Sequence, residues 1–397
     1  MSAELRYYDW EYHEVTAGHV ALQLASKPGV PFFGEADPSS HLLVESLRDR
    51  RSGAILNLNC GAGLVGGAAA TLNDMARVIM TDRNFLAVEA AQKTLGHNRI
   101  NNAEAHFSNG LGDLLIANEV DLVLIRLPKG KLPAWQLLWD GFRALKVGGS
   151  CYLAGGNREG IKPAIELMRQ LFGNAETVSY RDGHRLARAE KIDPAPAEAS
   201  AVQIKWLDHQ EFLQFLIDVR GTRFTVHSRP GAFAWDRMDE GTRLLAEHMV
   251  IRPSDTVLDL GCGNGIIGMV AARLAPQGHV MLVDVDAEAI RSAQRSVAAN
   301  ALPNCTVIAS DAGSASKHMR FDVVVTNPPF HVGRRAKFDI ANQFILDAGD
   351  VLKEGGRFYL VANMNLPYEK PIRERFGAFR VEFQGQGYKV ISALKRG

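Results

Sequence analysis

The same sequence is written twice in this chain, at a nearly constant spacing. Pro28-Gly29 and Pro230-Gly231 lie 202 positions apart. So do Asn57-Leu-Asn-Cys-Gly-Ala-Gly63 and Asp259-Leu-Gly-Cys-Gly-Asn-Gly265, then Asp82 and Asp284, Asn98 and Asn300, and Ser108-Asn109-Gly110 and Ser310-Asp311-Ala312. The offset becomes 201 between Asp121 and Asp322, 207 between Gly148 and Gly355, and 204 between Phe172 and Phe376. Changes of that size fall where loops gain or lose residues. Landmarks that hold one spacing this long mark a duplicated domain, each copy about 190 residues, an ordinary domain size. The expected division is 1–193, a linker at 194–200, and 201–397. The join, Asp193-Pro-Ala-Pro-Ala-Glu-Ala-Ser200, holds two prolines among small and charged residues, which suits neither helix nor strand.

Each copy alternates strand and helix patterns. In the second, Thr256-Val-Leu-Asp-Leu260 is a short apolar run ending at glycines, and Ile266 to Leu274 reads as a helix. His279 to Val283 is the next strand, Ala287 to Asn300 the next helix, and Cys305 to Ile308 and Asp322 to Val325 are further short strands. Strands without clean alternation, separated by helices, indicate a parallel sheet covered on both faces. Val381 to Gln384 and Tyr388 to Leu394 predict a late antiparallel hairpin. The expected architecture is α/β: two tandem Rossmann-like domains, each a mostly parallel doubly wound sheet with an antiparallel edge hairpin. Its ligand belongs outside the C-terminal strand ends.

Composition excludes little. Lys and Arg number 45 against 44 Asp and Glu, and the split by halves, 21 against 23 in residues 1–200 and 24 against 21 thereafter, leaves neither half strongly basic. Any nucleic-acid surface must be a local patch. Cys60, Cys151, Cys262 and Cys305 form no C-x-x-C pair and have no zinc-ligand spacing, so no metal is expected. Dispersed thiols suit a reducing compartment. The N-terminus lacks a basic-then-apolar signal pattern, and no apolar run approaches the roughly 20 residues of a membrane span. The expectation is a soluble cytoplasmic monomer without membrane association.

Asp259-Leu-Gly-Cys-Gly-Asn-Gly265 lies between strand and helix, where glycines let the backbone approach a ligand. Gly263-x-Gly265-x-x-Gly268 also satisfies the dinucleotide fingerprint, so a dehydrogenase is a rival reading. Asp284 would hold ribose hydroxyls in either cofactor. Asp259 discriminates: a carboxylate ahead of the glycines suits a cationic amino-acid tail such as that of S-adenosylmethionine, and would repel a pyrophosphate. Asp311 is placed to accept from an adenine amino group. The most informative motif is Thr326-Asn327-Pro328-Pro329-Phe330-His331. Adjacent prolines fix the chain and remove two amide donors while keeping their carbonyls. A planar amino group is a poor nucleophile because its lone pair is delocalised. The Asn327 side-chain oxygen and the Pro328 carbonyl, aimed at its two hydrogens, would favour a pyramidal nitrogen, and Phe330 would hold the base by stacking. Catalysis would then be orientation and electrostatics, without a strong base. His331 reads as a positioning residue, and Arg334, Arg335 and Lys337 as possible phosphate contacts.

With these residues in hand, the chain resembles, over nearly its full length, the bacterial ribosomal RNA guanine-N2 methyltransferases built from two related class I domains, whose T-N-P-P-F-H loop is Thr326 to His331. The segment Gly231-Ala-Phe-Ala and Asp239-Glu-Gly-Thr242 is also similar to the family's approach to the cofactor motif. The resemblance implies that Asp259, Gly261, Cys262 and Gly263 line the methionine end of S-adenosyl-L-methionine, that Asp284 and Val285 take the ribose and Asp311 and Ala312 the adenine, and that Asn327 to Phe330 hold the target base. It implies ribosomal RNA, of the small subunit, or a ribosomal subunit as partner. N-P-P-F alone is less specific, and a protein glutamine or a nucleic-acid adenine remains an alternative substrate, as does a non-catalytic RNA-binding module. The first copy departs from the pattern: Asp259 becomes Asn57, Gly261 becomes Asn59, and the loop becomes Arg126-Leu127-Pro128-Lys129. It lacks both the acceptor and the ring, so it is expected not to transfer methyl groups and, by resemblance, to support folding of its partner or grip RNA.

Overall fold

The computed structural model describes residues 6–32, 37–47, 53–192, 206–329 and 340–396. The expected linker at 194–200 lies outside them. The chain forms two compact units, Met1–Glu211 and Phe212–Gly397. Leu207 and His209, beyond the proline-rich join, pack on the first unit: Leu207 belongs to its core, and His209 Nε2 lies 2.9 Å from the buried Asp140 carboxylate.

The N-terminal unit opens with a hairpin, β1 (Glu11–Ala17) and β2 (Val20–Ser26), followed by α1 (Pro38–Glu45). Then come β3 (Ala54–Leu58), α2 (Leu64–Leu72), β4 (Arg77–Asp82), α3 (Phe85–His97), β5 (Ala103–Phe107), β6 (Val120–Arg126), α4 (Lys131–Ala144), β7 (Leu145–Gly156), α5 (Ile161–Phe172), β8 (Glu176–Arg181) and β9 (His184–Glu190). The sheet order is β5-β4-β3-β6-β7-β9-β8. Strands β3 to β7 are parallel, and β9 and β8 add antiparallel pairs at one edge.

The C-terminal unit repeats this. Its hairpin is β10 (Leu213–Val219) and β11 (Thr222–Ser228), followed by α6 (Glu240–His248), β12 (Thr256–Leu260), α7 (Ile266–Leu274), β13 (His279–Asp284), α8 (Ala287–Ala299), β14 (Cys305–Ala309), β15 (Phe321–Thr326), α9 (Ile340–Val351), β16 (Leu352–Asn363), α10 (Glu369–Phe376), β17 (Arg380–Gly385) and β18 (Tyr388–Leu394). The order β14-β13-β12-β15-β16-β18-β17 has the same pattern. The tail hairpin is present, with β18 paired between β16 and β17. Core strands such as β12 and β15 are buried on both faces because helices cover both.

The landmark asparagines explain how each opening hairpin is attached. Asn300, at the C-cap of α8, accepts from Thr225 N at 3.0 Å and donates to Thr225 O at 2.7 Å. Asn98 does the same for Gln23, at 3.0 and 2.8 Å. One side chain thus substitutes for a strand partner and holds β11, or β2, against the helix.

Candidate active site

The site follows from strand order. In the C-terminal unit β12 lies between β13 and β15, so the crossovers leave in opposite directions there and open a crevice at the C-terminal strand ends. Leu260 of β12 pairs in register with Thr326 of β15, and the Thr326 hydroxyl donates to the Leu260 carbonyl at 2.8 Å. The glycine loop and the Asn327-Pro328-Pro329 loop therefore leave the sheet side by side. Asp284 of β13 pairs with Ala309 of β14, so Asp284 and Asp311 also leave together. From one side of the edge to the other come Asp311, Asp284, the glycine loop and Asn327.

The loop after β12 is shaped by backbone geometry that only glycine adopts freely. Gly261, Gly263 and Gly265 have φ of 74°, 56° and 88°. Among the described residues, a Cβ on Gly263 would meet nothing within 4 Å, so this backbone is open to a ligand, as a cradle must be. Gly261 and Cys262 donate to Val283 O at 2.9 and 3.0 Å, and Gly263 N donates to Asp284 Oδ2 at 2.9 Å. Asp284 Oδ1 accepts from Asp286 N at 3.0 Å. Val285, between them, is half-buried. Cys262 is buried, and burial raises its thiol pKa well above the usual value, so it packs rather than reacts. Asp311 and Ala312 are buried beside this loop's neighbour strand, and Ala312 takes a φ of 45°.

Asp259 lies at the floor of the crevice, fully buried. Its Oδ2 accepts from Gly268 N at 2.8 Å, and its Oδ1 has no partner among the described residues. Burial pushes its carboxyl up to about 7, with the Asp284 charge adding to the rise and the Gly268 amide opposing it. Burial, then repulsion from Asp286, raises Asp284 to about 6. Two carboxylates held above their ordinary range in one crevice are poised for a cation.

Asn327 emerges from β15 half-buried, followed by buried Pro328 and exposed Pro329. Its Nδ2 donates to Thr242 Oγ1 at 3.0 Å and to Asp239 Oδ2 at 3.2 Å. Its Oδ1 is shielded from solvent and has no partner among the described residues. A buried acceptor without a donor costs about 1–3 kcal/mol, which an incoming amine would recover. Phe330, His331, Arg334, Arg335 and Lys337 lie outside the described residues. Sequence reasoning quoted Asp239 and Thr242 as part of a segment but gave them no role. Asp-x-x-Thr ahead of an amphipathic run is a readable helix start, and Asp239 is indeed the N-cap of α6. That it points at a loop 88 residues later is not readable. Also unforeseen is the buried Arg229–Glu288 pair at 2.9 Å, which fixes the chain entering the Arg229-Pro-Gly segment to the first turn of α8.

The N-terminal unit keeps the frame and differs at the residues that line it. Asp82 still accepts from Gly61 N and Asn84 N, both at 2.9 Å. Asn57 replaces the buried carboxylate, and Asn59, at φ 58°, donates to Arg126 O at 3.0 Å. Where the second unit has the Asn327 amide, the first has the Arg126 guanidinium, bonded to Glu159 at 2.7 Å, to Asp37 at 3.3 Å and to the Leu127 carbonyl at 2.6 Å. Five N–H donors and no acceptor now stand at that place.

Among the described residues, no group of three or more His, Cys, Asp or Glu is placed to hold a metal ion, and no helix is long and apolar enough to cross a membrane.

Comparison with known proteins agrees with this geometry. The family model "Methyltransferase small domain" matches twice, over residues 21–188 and 223–392. The ribosomal RNA small subunit methyltransferase C of Shewanella pealeana is 33% identical, with 74% of this chain and 83% of that protein aligned. That of Pseudomonas entomophila is 32% identical over 69% and 79%. Among solved structures, the T. thermophilus 16S rRNA N2 G1207 methyltransferase in complex with AdoMet and guanosine superposes with a TM-score of 0.81 at 30% identity, covering 97% of this chain and 98% of that one. Two copies of one methyltransferase fold, the second with Asp259 beneath its glycine cradle and Asn327 beside it where the first has Asn57 and Arg126, and relatives that align across both copies lead to one conclusion: this chain belongs to the ribosomal RNA small subunit methyltransferase C family, built from tandem small-domain methyltransferase units.

Proposed function

We propose that the C-terminal unit transfers a methyl group from S-adenosyl-L-methionine to the exocyclic N2 amine of a guanine in small-subunit ribosomal RNA. The observation that carries this reading is the orientation of Asn327. With both Nδ2 hydrogens engaged by Asp239 and Thr242, the Asn327 oxygen is the group left to meet a substrate, and it can only accept. An amine with two hydrogens and a delocalised lone pair is the functional group that such an acceptor activates.

The residues present fit the cofactor: among the described residues nothing crowds the Gly263 backbone and no donor meets the buried Asp259 Oδ1. When bound, the cofactor supplies an electrophilic methyl on a sulfonium, and the sulfur keeps the C–S bonding pair as the methyl leaves. Asp259, Gly261, Cys262 and Gly263 would hold its amino-acid end, Asp284 and Val285 its ribose, Asp311 and Ala312 its adenine. Asn327 Oδ1 and the Pro328 carbonyl would accept the two amine hydrogens and turn the nitrogen lone pair toward the methyl carbon, with Pro329 fixing the loop and Phe330 stacking on the base. The amine becomes acidic only once methylated, and then loses one proton to solvent. Orientation and electrostatics suffice.

Labelled methyl transfer to small-subunit ribosomal RNA from cells lacking this protein tests the reading. Asn327→Ala is expected to lower the rate by about 100-fold or more with an unchanged melting temperature. Mass spectrometry of the digested product should show N2-methylguanosine. Full activity in the variant, or label in a glutamine or an adenine, would overturn the assignment.

A further inference from the structure

We infer that Asp239 and Thr242 are positioning residues for methyl transfer: they select which end of the Asn327 amide faces the amine. This rests on the reading of Asn327 given above and adds a second layer to it.

An asparagine amide has two nearly isosteric orientations, and only one is useful here. With Oδ1 toward the substrate, an acceptor meets the amine hydrogens. Flipped by 180°, an NH2 would confront an NH2, and the lone pair would be drawn away from the methyl. The sequence of the loop does nothing to choose between them. The choice is made from α6, whose N-cap Asp239 accepts from Thr242 N at 3.0 Å and, with the same Oδ2, from Asn327 Nδ2 at 3.2 Å. Thr242 Oγ1 takes the other amide hydrogen at 3.0 Å. An ionised carboxylate can only accept, so a flipped Asn327 would set its oxygen against like charge.

The N-terminal unit supplies independent support. Asp37 lies 202 positions before Asp239 and is likewise an N-cap, of α1. Its Oδ2 accepts from Arg126 Nε at 3.3 Å, and Arg126 stands where the other unit has Asn327. The same carboxylate reaches the same loop position in both copies and holds a donor there each time. In one copy the donor carries an acceptor at its far end, and in the other it does not. The carboxylate is thus a device for presenting the loop residue, separable from the chemistry that residue performs.

Variants at Thr242 and Asp239 test this. Thr242→Val removes the hydroxyl but keeps the backbone N–H that Asp239 caps. Its single-turnover rate is expected to fall about tenfold or more, as misplaced catalytic groups do, with the melting temperature and the calorimetric affinity for S-adenosylmethionine unchanged. Thr242→Ser should restore the rate to within about threefold of the native protein, since its hydroxyl can still accept. Asp239→Gly keeps a tolerated cap residue but removes the oxygen that Thr242 N and Asn327 Nδ2 share, so the rate should fall about tenfold or more while the helix persists by circular dichroism; Asp239→Asn can keep its oxygen in that place and should stay within about threefold of the native rate. In an Asn327→Ala background, Thr242→Val should cost nothing further, because its route to the substrate is gone. Native rates in both Thr242→Val and Asp239→Gly, or losses that multiply in the Asn327→Ala background, would overturn the inference while leaving Asn327 as the acceptor. Full activity of Asn327→Ala alone would instead overturn the reading beneath it.

Discussion

Asp259 shows how a single buried carboxyl can report the charge of a ligand. Its Oδ2 is tied to Gly268 N, its Oδ1 has no partner among the described residues, and burial holds it near 7. The free protein at pH 6 thus keeps it largely protonated. A cofactor with a sulfonium and an ammonium group favours the ionised form, so binding should expel a proton. The sign follows: a group whose pKa is raised in the free site costs affinity for a cation below that pKa and nothing above it. Affinity for S-adenosylmethionine should therefore weaken as pH falls from about 7 through about 6, where Asp284 joins it. Calorimetry at about pH 6.5 (midway between the two) in buffers of different ionisation enthalpy should show proton release. Identical heats in all buffers and a flat affinity between pH 6 and 8 would show that neither carboxyl senses the cofactor's charge. In free protein the same shift makes the unit less stable as pH rises from the unfolded value toward 7, so the two effects have opposite signs and can be separated.

At the scale of elements, the sequence was legible where local pattern and tertiary role coincide. Thr256–Leu260, Ile266–Leu274 and the tail hairpin read as apolar runs, glycine breaks and paired β-branched segments, and the structure has them. The opening hairpins β1–β2 and β10–β11 were not predicted, although Arg220-Gly221 forms a turn between strands that pair over seven residues. Burial alternates along both β1 and β10, and in β10 the inward Leu213, Phe215, Ile217 and Val219 carry that period in the sequence; in β1 the inward positions include Glu11 and His13, so pattern alone does not set that strand apart from a loop. What attaches them is a side chain distant in sequence. Asn300→Ala would strip Thr225 of both a donor and an acceptor and is expected to lower stability by about 1–3 kcal/mol, with early hydrogen exchange confined to β10 and β11. Uniform exchange across the unit, or no loss of stability, would mean that packing of Phe224 and Val226, both buried, attaches the hairpin unaided. The site divides along the same line: the glycine loop and Asn327-Pro328-Pro329 are contiguous motifs, while Asp239 and Thr242 meet Asn327 only through the fold.

The whole molecule contains one fold twice, which makes each unit a control for the other. The frame common to both is the glycine loop, the aspartate that accepts from its amide, Asp82 or Asp284, and the acidic helix cap. The differences lie at Asn57, Asn59 and Arg126 in the first unit, against Asp259, Gly261 and Asn327 in the second. These changes reinforce each other, since Asn59 donates to the Arg126 carbonyl and Arg126 bonds Asp37 and Glu159. If silence came from the guanidinium alone, removing it would restore a methyltransferase. We expect that it does not. The buried charge at position 259 has no counterpart at Asn57, and Lys129 stands where the ring of Phe330 would be, so neither the cationic cofactor nor a base gains its usual contacts. In a chain already carrying Asn327→Ala, adding Arg126→Asn should give no methylation above that background, and S-adenosylmethionine should bind at one site per chain. A second binding site, or recovered methylguanosine, would show that one arginine keeps the first unit silent.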